Sequence, residues 1–152
     1  TESEFGYALV SLDDGGYAIS GQTRSYGAGD WDVYLLITDQ NGNLRQSKTF
    51  GRLMIESGYG IAKGDDNTLV ITGWTQDPQT YQFDLFLLQT DIEGTELWSG
   101  AFNGSNEDIG YDVLVAQDGE FVVTGYRANY DDYEGERERG LWILKTGPQR
   151  FE

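Results

Sequence analysis

Short apolar runs broken by Gly- and Asp-rich turns set the pattern of this chain, and long apolar helical stretches are missing from it. The segment from Gly6 to Gly21, GYALVSLDDGGYAISG, reads as two short strands around an acidic turn. The same arrangement returns in GYGIAKGDDNTLVITG (Gly58 to Gly73) and in GYDVLVAQDGEFVVTG (Gly110 to Gly125). The Gly-Tyr pairs at Gly6-Tyr7, Gly58-Tyr59 and Gly110-Tyr111 stand 52 residues apart. Each is followed fifteen residues later by another glycine: Gly21, Gly73 and Gly125. Between the two strands lie Asp14-Gly15, Asp66-Asn67 and Asp118-Gly119, dipeptides that tolerate the positive φ of tight hairpin turns.

The match extends through the second half of the unit. Trp31 to Phe50 lies over Phe83 to Phe102 at the same offset, which predicts a third strand, a turn at Gly42 or Gly94, and a fourth strand. In the third copy GLWILKT (Gly140 to Thr146) matches DLFLLQT (Asp84 to Thr90) only after four extra residues, placed in the connection Arg127 to Gly140. That connection is expected to be a loop that tolerates trimming between Ala128 and Glu138. After Thr146, the run Gly147-Pro148-Gln149-Arg150-Phe151 replaces a turn and a fourth strand, and proline cannot donate to a ladder. Reading Phe151-Glu152 into Thr1 still reproduces the Phe-to-Gly-Tyr spacing of Phe102 to Tyr111 to within one residue. The ends therefore suit a closed ring or head-to-tail assembly of copies.

These spacings predict one all-β repeat domain over residues 1–152, with three tandem four-stranded antiparallel units at approximately 1–52, 53–104 and 105–152. Two architectures suit such units: β-propeller-like blades, or a β-trefoil. A propeller normally needs at least four blades. The motif run Gly6-Tyr7, Asp14 to Tyr17, Gly21 to Thr23, Asp32 to Leu36, Thr38-Asp39, Asn41 to Asn43 and Lys48 to Gly51 resembles a repeat of secreted microbial proteins predicted to be propellers. Thr90 to Trp98, TDIEGTELW, is also distantly similar to quinoprotein-type propeller blades, one residue short of their pattern. The resemblance implies blades and an extracellular or cell-surface setting. Its motifs are structural, and they carry no catalytic residues across.

Composition narrows the chemistry. The 152 residues include no Cys and no His, which excludes disulfides, thiolate metal sites, Cys nucleophiles and the usual Ser-His-Asp and zinc-hydrolase arrangements. Twenty-six acidic against ten basic residues give a formal net charge of −16, a poor match for nucleic acid or anionic membranes. No run approaches the roughly 18 apolar residues of a membrane span. A start at Thr1 suits either a processed mature protein or an excised fragment.

Asp39 to Gly42 and Asp91 to Gly94 lack the ligand spacing of an EF-type calcium loop and are read as turns closed by an Asp side chain. Tyr34, Phe86 and Trp142 fall in the third-strand apolar run and are assigned to packing between units. The candidate ligand-binding residues are aromatics around the loops between second and third strands: Tyr26, Trp31, Tyr81, Phe83, Tyr130 and Tyr133. Flat aromatic faces beside carboxylates suit a glycan or peptide. No catalytic residue, resident metal or cofactor is assigned. Two functions follow: a non-enzymatic module that assembles with copies of itself, with other proteins or with further blades of a longer parent chain, and a carbohydrate-binding module.

Overall fold

A computed structural model describes residues 3–52, 54–64, 67–102, 104, 107–130 and 137–147. Among these the regular structure is entirely β-strand. Strands β1 (Glu4–Ser11), β2 (Tyr17–Thr23), β3 (Asp32–Thr38) and β4 (Leu44–Phe50) pair in sequence order as an antiparallel meander. A second meander is formed by β5 (Glu56–Lys63), β6 (Thr68–Gln76), β7 (Phe83–Asp91) and β8 (Glu96–Phe102). In the third, β9 (Glu107–Val115), β10 (Phe121–Tyr130) and β11 (Arg137–Thr146) pair likewise, and a parallel bridge from Phe83 to Glu107 joins it to the second.

The chain is thus all-β and antiparallel, as its pattern predicts. The expected fourth strand of the last unit is not present among the described residues, and Pro148 to Glu152 lie outside them. The described strands do not close into a barrel, and beyond the Phe83 bridge they do not pair between meanders as a trefoil barrel would require.

One expectation needs correction. Arg127 to Gly140 is not simply a loop, because β10 and β11 pair from Arg127↔Gly140 through Tyr130↔Arg137, and Ala128 is fully buried. Main-chain N–H and C=O groups that leave a ladder need new partners, and continuing the ladder supplies them. The extra residues therefore lengthen a hairpin.

The turns follow their sequence signals. Gly15 and Gly119 have φ of +85° and +80°, and Asn67 has +54°. Leu12 and Gly16 close the first turn through a main-chain bond of 2.8 Å, and Asp14 Oδ1 accepts the Gly16 N–H at 2.9 Å. Asp39 Oδ1 accepts the N–H groups of Asn41 and Asn43 at 2.8 and 2.9 Å, and Asp91 Oδ1 those of Glu93 and Thr95 at 3.0 and 2.7 Å. These are turns closed by Asp side chains rather than calcium loops.

The Gly-Tyr pair and the later glycine form one device. Tyr7, Tyr59 and Tyr111 are each skipped in the pairing with the second strand, so every unit carries a β-bulge at its tyrosine. Opposite the bulge a Cβ on Gly21, Gly73 or Gly125 would overlap the carbonyl oxygen of Phe5, Ser57 or Ile109. Only glycine lets the two backbones approach so closely.

The core lies between meanders. β5 packs on β1, β2 and β3, and β9 packs on β5, β6 and β7. At the first junction Ala18, Val33, Leu35 and Ile37 meet Ile61, Leu69, Ile71 and Leu88. At the second, Ala62, Val70, Leu85 and Leu87 meet Val113, Phe121 and Val123. β7 serves both, with Leu88 on one face and Leu85 and Leu87 on the other, which is why its sequence is an almost unbroken apolar run. Phe86 and Trp142 pack against the first and second cores as expected, whereas Tyr34 is half-buried and stacks on Tyr26.

Candidate functional site

The loop aromatics with described side chains are Tyr26, Trp31, Tyr81 and Phe83. Tyr26 is exposed and stacks on Tyr34 with ring centroids 6.0 Å apart. Trp31 packs on Phe5 at 5.6 Å, and the Arg24 guanidinium lies 5.2 Å from its centroid. Phe83 meets Trp74 edge-on at 4.7 Å. Tyr81 is exposed with φ of +60°, held by an Asp77 turn whose carboxylate accepts the N–H groups of Gln79 and Thr80. Among the described residues no ring contact joins Tyr26 or Trp31 to Tyr81 or Phe83. The backbone of Tyr130 pairs with Arg137; its side chain, and all of Tyr133, lie outside the described residues.

A different aromatic set does converge. Tyr7 meets Tyr59 edge-on at 4.9 Å, and Tyr59 stacks on Tyr111 at 5.8 Å. The bulges aim these phenols out of the first strands into a ladder that crosses both junctions. Burial, and secondarily Tyr59, pushes the Tyr7 phenol above its ordinary pKa. The strict Gly-Tyr spacing was the signal for this ladder, although the sequence presents it only as a repeat marker.

A cavity of about 590 Å³ lies between the first and second meanders. Phe50, Met54 and Phe86 supply its apolar wall, and Glu56, Asp77, Asp84 and Glu96 make it acidic. Arg52 also lines it. Of the loop aromatics with described side chains, Tyr26, Trp31, Tyr81 and Phe83, none does.

Glu56 and Asp84 are buried members of this lining that face other acids. Desolvation raises the pKa of Glu56 above the ordinary value; hydrogen bonds from the Arg52 N–H and the Thr75 hydroxyl oppose this, and the charge of Asp32 reinforces it. Asp84 is raised by burial first, then by Asp77 and Asp108. Buried, mutually repelling carboxylates are a common mark of functional sites, although structural networks produce them too. Glu56 and Asp108 do not stand out in the sequence, since each lies just ahead of its Gly-Tyr pair and the acid differs in type between copies.

Among the described residues no group of three or more acidic side chains forms a metal cluster. No helix among the described residues is long and apolar enough to cross a membrane. Comparison with known proteins assigns no family, because no family model and no curated protein matches the sequence.

Proposed function

We propose that this chain is a non-enzymatic, extracellular β-propeller-type module that assembles head to tail with copies of itself. The observation that carries the reading is a correspondence between buried and exposed positions one repeat apart. Ile61 and Leu69, buried at the first junction, correspond to Leu9 and Tyr17 on the outer face of the first meander, which are 63% and 38% exposed. Leu85 and Leu87, buried at the second junction, correspond to Leu141 and Ile143 on the outer face of the third, 83% and 63% exposed.

Each end face therefore carries one half of a junction already made twice inside the chain. A second copy placed tail to head restores the missing half, which makes the contact heterologous. Apolar patches of this kind mark interaction surfaces. Two copies could close a ring of six blades, and a rotation that fails to close would propagate a filament. A net charge of −16 on each copy opposes the contact at low ionic strength, so assembly should strengthen with moderate salt.

Light scattering tests the reading. A mass above 17.0 kDa that grows with protein concentration and salt is expected. A constant monomer mass at high concentration would refute it. The alternative, carbohydrate binding through the loop aromatics, draws among the described side chains on the exposed Tyr26 and Tyr81.

A further inference from the structure

A pair of acids recurs where successive meanders meet. Asp32 opens β3 and Glu56 opens β5; 52 positions on, Asp84 and Asp108 occupy the equivalent places in β7 and β9. All four are buried, with exposures of 1%, 3%, 6% and 0%. Two carboxylates removed from water at one junction are strongly unfavourable unless a cation or a shared proton neutralises them.

At the second junction the chain supplies its own cation. Arg127 donates from Nε to Asp108 Oδ1 at 2.8 Å, and its guanidinium lies 4.6 Å from the centroid of Trp142. At the first junction the position equivalent to Arg127 is Thr75, a neutral residue whose hydroxyl donates to Glu56 Oε1 at 3.1 Å. The other partners there are main-chain: Gly29 N–H donates to Asp32 Oδ2 and Arg52 N–H to Glu56 Oε2, each at 3.2 Å. The charge of Arg52 is the weakest of the influences on Glu56.

One oxygen is left over. Asp32 Oδ1 is fully buried and has no hydrogen-bond partner. It is aimed at Glu56 across Gly51: a Cβ built on Gly51 would overlap Asp32 Oδ1 and stand 2.9 Å from Glu56 Oε2. Main-chain oxygens of Met54 and Arg52 close on Gly29, the residue whose N–H holds Asp32 Oδ2.

We infer that Asp32 and Glu56 bind a divalent cation of the calcium class, which holds the first junction as Arg127 holds the second. Oxygen donors set in irregular backbone suit calcium, which accepts six to eight oxygens in flexible geometry, better than magnesium, which demands a near-ideal octahedron. Two carboxylates balance the charge of one such ion, and main-chain carbonyls with water complete its shell. Gly51 keeps open the space that any side chain would fill.

The test uses the whole chain, melted in EGTA and in millimolar calcium chloride, with terbium luminescence sensitised by the neighbouring aromatics as a second readout. Calcium is expected to raise the melting temperature by several degrees and to displace terbium from one saturable site. Asp32→Asn and Glu56→Gln should abolish both effects, whereas Asp84→Asn should keep them. Thr75→Arg places a guanidinium where the second junction has one, and should give a protein that melts as high in EGTA as the unaltered chain does in calcium. That variant keeps the proposal open to refutation even if Asp32→Asn fails to fold. A calcium shift that survives in Asp32→Asn would assign the ion to the acidic surface and overturn the site. Melting that ignores calcium but rises on acidification would mean that the two acids share a proton instead.

Discussion

Leu85 and Leu141 occupy equivalent places one repeat apart, and alanine at each should have very different consequences. Leu85 is fully buried among Val113, Phe121 and Val123, with a methyl group closely packed over Gly110, which has no side chain to fill a gap. Leu85→Ala removes three carbons at about 0.8 kcal/mol each. The unrelaxed cavity adds about 1 kcal/mol more. A loss of about 3 kcal/mol should lower the melting temperature by roughly 6 to 12 °C in a chain of this size. Leu141 is largely exposed, so Leu141→Ala in dilute protein should fall within about 0.5 kcal/mol of the unaltered chain. At concentrations where copies assemble, Leu141 becomes a junction residue and its loss should grow toward that of Leu85. Thermal melts of both variants over a wide concentration series separate these terms. Equal effects in dilute protein, or a Leu85→Ala cost below about 1 kcal/mol, would refute the correspondence between inner and outer faces.

Two further outcomes are expected. Gly15→Val or Gly119→Val should cost about 1 to 3 kcal/mol in thermal or denaturant unfolding, because a β-branched residue resists positive φ; unchanged melting in both would contradict the turn assignment. The raised pKa of Glu56 means that its contribution is fully present below the ordinary glutamate value of 4.5 and is lost as pH rises through the raised value. In EGTA, Glu56→Gln should therefore lose less stability than the unaltered chain as pH rises through that window. Asp84 contributes in the same direction, and Asp14, Asp39 and Asp91, whose pKa values are lowered by hydrogen bonds, act in the opposite direction at more acidic pH. Identical pH profiles would argue against a buried, repelled Glu56.

What was legible in the sequence was local. Asp14-Gly15 and Asp118-Gly119 are legible because a positive φ restricts residue choice, and the Asp39 and Asp91 turns because one side chain closes each. The glycines after each Gly-Tyr pair announced a fixed spacing, but their reason, a bulge pressing one backbone onto another, needs the pairing register. Arg127 to Gly140 reads as a loop by length and polarity, whereas ladder formation there depends on partners seven to thirteen residues away. The carboxylate pairs are less legible still. Asp32 and Glu56 lie 24 residues apart and meet only because the start of a third strand faces the start of the next unit's first strand. Of the loop aromatics, Trp31 and Phe83 find ring partners within their own units, a pairing that depends on strand register rather than on spacing.

The central claim is that the two outer faces recognise each other. It is tested most directly by mixing Leu9→Asp, which spoils the first face and keeps the last, with Leu141→Asp, which does the reverse. Each variant alone should run as a monomer with near-unaltered melting, because both residues are exposed in the isolated chain. Mixed in equal amounts, they should form a dimer and nothing larger by light scattering, joined through the intact Leu141 and Ile143 face of one and the intact Leu9 and Tyr17 face of the other. Mixtures that stay monomeric, or single variants that assemble as well as the unaltered chain, would contradict the account.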